Sequence, residues 1–251
     1  MQLKIYGERN CGTNYLEYLV KNNLEVDLLK FHPGPWSILL LKSIPYDFVQ
    51  DLLWCRDRKK TLGWKHGCAP VKLIESCATK DLIILTITKN PYAFLYSLFK
   101  NTYHIKGEKP AEFSTFIRQQ WTTRKRDLCS DKFLASPMLL WTIKNQSYID
   151  LKNTTDNLVI NISYEHLIEN PKRCICQIAE MAKIKLINED HFQNLEHSTN
   201  DSELTYADYK KFYLEERWRE AYDTNDLTYI NQFLEDEIMD LFEYKKIDDV
   251  G

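Results

Sequence analysis

Near its beginning the chain carries an eight-residue stretch whose composition suits the binding of a phosphate-like anion. The stretch runs from Gly7 to Asn14 and reads GERNCGTN. An apolar run at residues 3–6 precedes it and predicts a buried strand, while apolar residues at helical spacing follow it. A glycine-bounded turn between a strand and a helix gathers backbone N–H groups at a helix N-terminus, where anions bind. The alternative is an ordinary strand-to-helix turn whose glycines only permit positive φ.

The two glycines have the spacing of a nucleotide-hydrolysing P-loop, but the residues after the second glycine differ. Such a loop needs Lys to reach the outer phosphates and then Ser or Thr to hold Mg²⁺. Thr13 and Asn14 occupy these places. The loop is therefore predicted to bind an anion without a lysine or a metal at the usual positions. Its candidate binding residues are Arg9, Asn10, Cys11, Gly12, Thr13 and Asn14.

A second candidate anion site follows the most apolar segment of the chain, residues 81–88. This segment is apolar at nearly every position, as expected for a strand buried on both faces of a parallel sheet. Lys89 comes at its end, and Ser97 follows eight residues later in a predicted helix. Ligands of such sheets bind beyond the carboxyl ends of the strands, where a cation and a hydroxyl can hold a second phosphate. Otherwise Lys89 is a surface cation and Ser97 a small residue that packs a helix.

A candidate general base lies between Gly63 and Gly67, where the chain reads Lys65-His66. Histidine suits this role because its unperturbed pKa lies near neutrality, although a lone histidine is more often structural. We expect His66 to lie at the C-terminal end of a short strand, with Lys65 beside it.

Composition limits the class of protein. The chain has 251 residues, of which 44% are apolar and 27% charged, which predicts one globular domain. A net charge of −3 gives no electrostatic case for nucleic acid or an anionic membrane as a partner. The seven cysteines lack metal-ligand or C-x-x-C spacing, so we expect reduced thiols and no metal site. The sequence shows no apolar leader and no spanning segment, which favours a cytoplasmic protein, and it does not indicate an oligomeric state.

Strands that alternate with helices predict an α/β fold with a largely parallel central sheet flanked by helices. Residues 101–135 are polar and are predicted to form an insertion or a lid, and residues 206–251 to form C-terminal helices. The remaining expectations are a strand within residues 24–29, a turn at 31–36, an apolar stretch at 37–41, a helix at 46–53, a solvated turn at 56–60 and a strand at 158–162.

Four segments, taken in order, resemble the sulfotransferase family. They are GERNCGTNYL, WKHG, the strand followed by KNPYAFLYS, and ISYEHLIENPKRCICQIAEM, and they span residues 3 to about 183. The stretches around Trp218 and Phe242 resemble the closing helices of the family. The resemblance implies a three-layer, P-loop-like α/β fold in a single domain over 1–251. It also implies that 3′-phosphoadenosine 5′-phosphosulfate (PAPS) is the co-substrate and that no metal is needed.

The resemblance implies roles for individual residues. The loop ending at Gly12-Thr13-Asn14 would hold the 5′-phosphosulfate, Lys89 and Ser97 the 3′-phosphate, and Tyr164 would lie close to the adenine. Lys89 stands where the family usually has Arg. His66 would take the proton of the acceptor, although the spacing here is K-H instead of the family's K-x-H.

One departure concerns the charge on the bridging oxygen. Many members have Lys two residues before the second glycine of the loop, where this chain has Asn10. Arg9 or Lys65 is left to supply the cation, and a guanidinium does not simply replace an ammonium.

The predicted function is therefore sulfuryl transfer to a hydroxyl of a sugar, a lipid or a small molecule, with a sugar preferred from the family alone. Aromatic residues around Trp36 and within 101–141 are candidates to line the acceptor site. Two alternatives stay open: a P-loop kinase or NTPase with an altered loop, and a non-catalytic nucleotide-binding module, which Asn10 alone supports.

Overall fold

The computed structural model describes residues 1–30, 46–103, 105, 108–197 and 203–249, with the side chains of 46–50 left out of the description. The turn and the apolar stretch predicted within residues 31–41, and Trp36 with them, lie outside the described residues.

A parallel sheet forms the centre of the protein. The strands of the described chain are β1 (Gln2–Tyr6), β2 (Asp27–Leu28), β3 (Leu82–Thr88), β4 (Trp121–Thr122), β5 (Phe133–Leu134) and β6 (Leu158–Ser163). The central sheet has the order β2-β1-β3-β6, and all of its neighbouring strands are parallel. The separate pair β4-β5 is antiparallel. The predicted parallel α/β sheet is thereby confirmed.

Strand β3 lies at the middle of the sheet, and all seven of its residues are buried. Ile83, Leu85 and Ile87 belong to one apolar cluster, whereas Leu82 and Ile84 belong to another. Since successive side chains of a strand point to opposite faces, helices must cover both faces. The result is a three-layer arrangement, as predicted.

Helices fill both outer layers. They are α1 (Thr13–Asn23), α2 (Tyr46–Thr61), α3 (Val71–Cys77), α4 (Pro91–Lys100), α5 (Phe113–Arg118), α6 (Met138–Thr154), α7 (Tyr164–Glu169), α8 (Pro171–Ala182), α9 (Tyr206–Leu214), α10 (Thr224–Asn231) and α11 (Asp236–Leu241). Two short 3₁₀ turns occupy Lys125–Asp127 and Arg217–Ala221.

Two local predictions were wrong. The charged run at 56–60 is the end of helix α2 and not a turn, because Arg, Lys and Asp without Gly or Pro continue a helix readily. Residues 62–70 form turns and not a strand. Their few backbone bonds to other segments, from Gly7 N to Lys65 O (2.9 Å) and from Cys68 N to Asp127 O (2.7 Å), do not make a ladder.

Residues 101–135 also contribute to the core. Phe116, Ile117 and Trp121 are buried there. The C-terminal helices lie over α4: Trp218 stacks on Tyr92, with ring centroids 6.0 Å apart. This packing holds α9 above the end of β3, where the site lies.

Candidate active site

The loop after β1 closes so tightly that its two glycines cannot be replaced without strain. Gly12 has a φ of 88°, and a Cβ on it would lie 2.4 Å from the Cδ2 atom of Tyr164. A Cβ on Gly7 would lie 2.5 Å from Cγ2 of Ile87. The loop therefore packs directly on the end of β3 and on the ring of Tyr164, the first residue of α7.

Helix α1 begins at this loop without a side-chain cap. Gly12 takes the N-cap position and no side chain accepts a hydrogen bond there. The first N–H groups of a helix lack intrahelical acceptors and form the positive end of its dipole. Thr13, Asn14 and Tyr15 line the adjoining cleft. The N-terminus of α1 therefore faces the cleft without a side-chain cap, and its binding of an anion stays a prediction.

Lys89 is buried at the end of β3. Its side chain is 3% exposed, and its Nζ atom lies 3.9 Å from the ring centroid of Tyr213 and 4.2 Å from that of Tyr164. Ser97 Oγ lies 3.4 Å from Nζ and hydrogen-bonds the Tyr213 hydroxyl at 2.9 Å. No carboxylate of the described residues pairs with Lys89. A buried cation without a counter-ion is costly, so an anion at this point would relieve it.

The residue order explains why Lys89 points into the site. Asn90 Oδ1 accepts hydrogen bonds from the backbone of Tyr92 (3.0 Å) and Ala93 (3.4 Å), and so caps α4 directly after the strand. The indole N–H of Trp141 donates to the Lys89 carbonyl at 2.8 Å. Both contacts fix the backbone from which the lysine extends.

His66 lines the same cleft, half-buried. Its Nδ1 lies 2.9 Å from the carbonyl oxygen of Gly7, and a carbonyl only accepts, so Nδ1 carries the proton. Loss of solvent around the ring, reinforced by the charge of Lys65, lowers the pKa of His66 well below 6.5. At neutral pH the imidazole is therefore neutral, and its Nε2 lone pair can accept a proton.

Arg9 is held between two aromatic rings. Its guanidinium carbon lies 4.5 Å from the ring centroid of Tyr103 and 5.1 Å from that of Trp64. Stacking of this kind orients the planar cation and leaves its N–H groups at the edge for an acceptor. Arg9 lines the cleft together with Asn10.

The side chain of Lys65 is bound to helix α1 and does not line the cleft. Its Nζ atom donates to Asn14 Oδ1 at 2.7 Å and forms an ion pair with Glu17 at 3.1 Å. It is not among the residues that line the cleft, and neither is Cys11, whose side chain is buried. Asn14 is thus oriented by Lys65, while Cys11 has only its backbone to offer a ligand.

A buried charge cluster lies beneath these residues. Lys144, which is 0% exposed, forms ion pairs with Glu8 and with Asp127 (2.7 Å) and donates to the carbonyl of His66 at 2.6 Å. Burial alone would lower the pKa of Lys144, but the charges of Asp127 and Glu8 raise this pKa above its ordinary value. Tyr103 donates to Glu8 Oε1 at 2.5 Å. One ammonium therefore connects the opening loop, the His66 turn and the residue 125–127 turn.

These parts surround a single cleft of about 800 Å³. Arg9, His66 and Lys89 contribute nitrogen bases or cations, and none of the described residues that line it is Asp or Glu. Of the predicted site residues, the structure brings together at its wall Arg9, Asn10, Gly12, Thr13, Asn14, His66, Lys89, Ser97 and Tyr164.

Three side chains that contact the predicted site residues were not predicted from the sequence. Tyr213 covers Lys89, Tyr103 covers Arg9, and Lys144 anchors the turn of His66. Only Lys144 had a local signal: it lies at helical spacing from Trp141 and Tyr148, both apolar and buried, where a lysine is out of place. The tyrosines come from distant segments without such a mark.

The fold and the cleft define an α/β protein with a candidate anion site at the carboxyl edge of a parallel sheet, beside His66. The family model described as "Sulfotransferase domain" matches residues 66–224, more than half of the chain. The chain therefore belongs to the sulfotransferase family, and it is an enzyme of this class. The match includes His66 and Lys89, while the opening loop precedes it.

Among solved structures, the sulfotransferase from Alicyclobacillus acidocaldarius is similar at 13% sequence identity, with 97% of this chain and 96% of that chain covered and a TM-score of 0.46. No curated protein matches the chain. Within the described ranges no helix has the length and apolarity to cross a bilayer. Nor do three or more His, Cys, Asp or Glu side chains of those ranges come together as a set of metal ligands.

Proposed function

We propose that this enzyme transfers a sulfuryl group from PAPS to a hydroxyl acceptor by in-line displacement. One observation carries the proposal: a single cleft combines an uncapped helix N-terminus, a buried Lys89 without a described carboxylate partner, and a neutral His66. Two anion sites and one base are what a phosphosulfate donor and an alcohol require.

The residues present suit the donor. The loop from Arg9 to Asn14, with the N–H groups of α1, would hold the 5′-phosphosulfate. Lys89 and Ser97 would hold the 3′-phosphate as an ion pair and a hydrogen bond, and Tyr164 would lie beside the adenine. The bound donor supplies an activated sulfuryl group whose leaving group is a phosphate.

His66 is the general base of the proposed reaction. Its Nε2 accepts the proton of the acceptor hydroxyl while Nδ1–H stays bonded to Gly7, so the ring does not turn as the proton moves. The hydroxyl oxygen forms its bond to sulfur as the bond between sulfur and the phosphate oxygen breaks. The proton ends on His66, and the electron pair ends on the phosphate.

Arg9 is the cation that stabilises the charge developing on the bridging oxygen. Its guanidinium is already fixed between Tyr103 and Trp64, so no reorganisation is needed during the reaction. Lys65 is held by Glu17 and acts through the Asn14 side chain that it orients. Together with the loop amides, these groups replace the loop lysine common in the family.

The acceptor in this proposal is a hydroxyl, with carbohydrates placed first because the family resemblance favours them. Tyr103 lines the cleft beside Arg9 and offers an aromatic face on which a sugar ring can pack.

The test starts with ligand-induced thermal stabilisation, because a ligand stabilises the state that it binds. We expect 3′-phosphoadenosine 5′-phosphate to raise the melting temperature more than Mg²⁺–ATP does. A larger effect of Mg²⁺–ATP would favour the kinase alternative and overturn the proposal.

The second arm follows transfer from ³⁵S-labelled PAPS to sugars, lipids and small alcohols. We expect one class of acceptor to be labelled, and His66→Ala to lower kcat by about 10²–10⁴-fold while the melting shift with 3′-phosphoadenosine 5′-phosphate persists. Binding without transfer to any acceptor would instead identify a non-catalytic module. Transfer by His66→Ala within a few fold of wild type would remove His66 from the mechanism.

A further inference from the structure

Two thiols lie against each other immediately behind the His66 turn. The Sγ atoms of Cys68 and Cys129 are 3.7 Å apart, although 61 positions separate the residues in the chain. Neither side chain has a part in the proposed transfer reaction. Cys68 is buried and Cys129 is partly exposed, so small solutes reach the pair from one side.

The backbone holds the two cysteines in this position. Cys68 N donates to the carbonyl of Asp127 at 2.7 Å, which fastens the two segments together two residues before Cys129. Leu128 has a φ of 59°, which turns the chain directly before Cys129. A disulfide has an S–S bond of about 2.05 Å, so the sulfurs have to approach by roughly 1.7 Å.

The charge environment favours reaction at Cys68. The hydrogen bond with Cys129 lowers the pKa of the Cys68 thiol against the opposing effect of burial, and the charge of Lys144 acts in the same direction. The thiolate is the nucleophile in thiol oxidation, and positive charge nearby increases its population.

We propose that Cys68 and Cys129 form a reversible oxidation site that hydrogen peroxide converts to a disulfide. The Cys68 thiolate attacks one peroxide oxygen and becomes a sulfenic acid, while the other oxygen leaves and is protonated to water. Cys129 then attacks the sulfenic sulfur, so that the S–S bond forms and a second water leaves. Two thiols are oxidised and one peroxide is reduced, and an external dithiol reverses the change.

The new bond would join the two segments that hold the backbone of His66. Lys144 donates to the His66 carbonyl and pairs with Asp127, and the disulfide would draw these neighbouring segments closer. We therefore expect oxidation to displace the base and to lower sulfuryl transfer by about tenfold or more. This second part rests on the proposed function, whereas the oxidation site does not.

The chain is well suited to a direct test. Trypsin should release residues 66–72 (HGCAPVK) and 127–132 (DLCSDK), each with a single cysteine. The full-length reduced protein is treated with hydrogen peroxide, alkylated, digested and analysed by mass spectrometry. We expect these two peptides to be joined by a disulfide, and dithiothreitol to separate them.

Two variants serve as a matched pair. Cys129→Ser should abolish the joined peptide, whereas Cys77→Ser, at an exposed thiol elsewhere, should leave it unchanged. Oxidation in concentrated urea should lose the preference for this pair, because the fold creates it. If the two peptides stay alkylated while those with Cys55 and Cys77 oxidise, the site does not exist.

Activity separates the two parts of the inference. Transfer that falls on oxidation and returns with dithiothreitol, in wild type and not in Cys129→Ser, supports the coupling to His66. A disulfide that forms without any change in transfer leaves the site standing and overturns the coupling. A reduced protein without any transfer activity contradicts the proposed function, and the joined peptide then tests the site by itself.

Discussion

The Nδ1 atom of His66 lies 2.9 Å from the carbonyl oxygen of Gly7, so the opening loop fixes the tautomer of the proposed base. The backbone N–H of Gly7 donates a hydrogen bond to the carbonyl of Lys65 at 2.9 Å. Gly7 therefore contacts the Lys65-His66 segment through both its N–H and its carbonyl. The opening loop and the proposed base are therefore positioned by the same contact between the end of β1 and the turns at residues 62–70.

The pH dependence should report the lowered pKa of His66. A base with a pKa well below 6.5 stays neutral through the physiological range. Protonation of His66 should therefore not change kcat/KM near neutral pH and should lower it only at more acidic pH. Steady-state rates from pH 5 upward check this. An acidic limb centred at or above 6.5 would contradict it.

The same shift has a consequence for stability. As pH falls below 6.5 the unfolded chain binds a proton before the folded protein does, so this contribution to the free energy of unfolding is present above 6.5 and is lost as pH falls through the folded pKa. We expect His66→Gln to show a shallower acidic decline in urea unfolding than wild type. If the free energy of unfolding declined equally with falling pH in both proteins, burial would not lower the pKa of His66.

Arg9 and Lys65 should differ in their effect on the rate. Arg9→Ala should lower kcat by about 10²–10³-fold, the usual loss for a group that stabilises transition-state charge. Lys65→Ala should cost less than about tenfold, because its Nζ is bonded to Glu17 and Asn14 outside the cleft wall. Single-turnover rates at saturating donor measure both, and the reverse order would assign the cation to Lys65.

Lys89 should account for the preference for a 3′-phosphate. Wild type should bind 3′-phosphoadenosine 5′-phosphate more tightly than adenosine 5′-phosphate, and Lys89→Met should reduce that ratio by about 10- to 100-fold because a charge-assisted contact is lost. Calorimetric titration of both ligands measures the ratio. Lys100→Met, at the exposed end of α4, the helix that follows Lys89, is the control and should leave the ratio unchanged.

Gly12 should tolerate no side chain. Gly12→Ala adds the cost of a positive φ, about 1–2 kcal/mol, and a Cβ 2.4 Å from the Tyr164 ring. Gly63→Ala carries a similar φ of 85° but a milder contact, 3.2 Å from Pro70, away from the cleft. Both should lower the free energy of unfolding, and Gly12→Ala alone should weaken binding of 3′-phosphoadenosine 5′-phosphate. Equal ligand affinity in the two variants would refute the anion-loop assignment.

Lys144 should be essential to stability. Lys144→Met removes the ammonium that pairs with the buried carboxylates of Glu8 and Asp127, at a cost of about 3–5 kcal/mol in urea unfolding. Lys152→Met, on the exposed side of the same helix, should change the value by less than about 0.5 kcal/mol.

A second substitution distinguishes the charge from the packing. Adding Glu8→Gln should recover part of the loss of Lys144→Met, because one unpaired charge is then removed. Strictly additive losses would mean that the methylenes of Lys144, and not its ammonium, stabilise the cluster.

The local sequence pattern was sufficient to predict much of the central sheet and the helices beside it. The apolar run at 81–88 predicted the central strand, because only a strand covered on both faces is apolar throughout, and Asn90-Pro91 predicted the helix after it. The sequence also placed Ser97 in that helix, eight residues after Lys89. Where the pattern was misread, at residues 56–60, a helix of charged residues had no apolar stripe to reveal it.

The sequence by itself determined the order of strands and helices, the glycine loop and the types of residue at the carboxyl edge of the sheet, since these depend on neighbours in the chain. Tertiary structure alone decided which cation faces the cleft: Arg9 is stacked between Trp64 and Tyr103, and Lys65 is drawn away by Glu17. It also brought Lys144 to Glu8, 136 positions earlier. Contacts of that separation leave no periodic trace, because packing and charge pairing between segments select them.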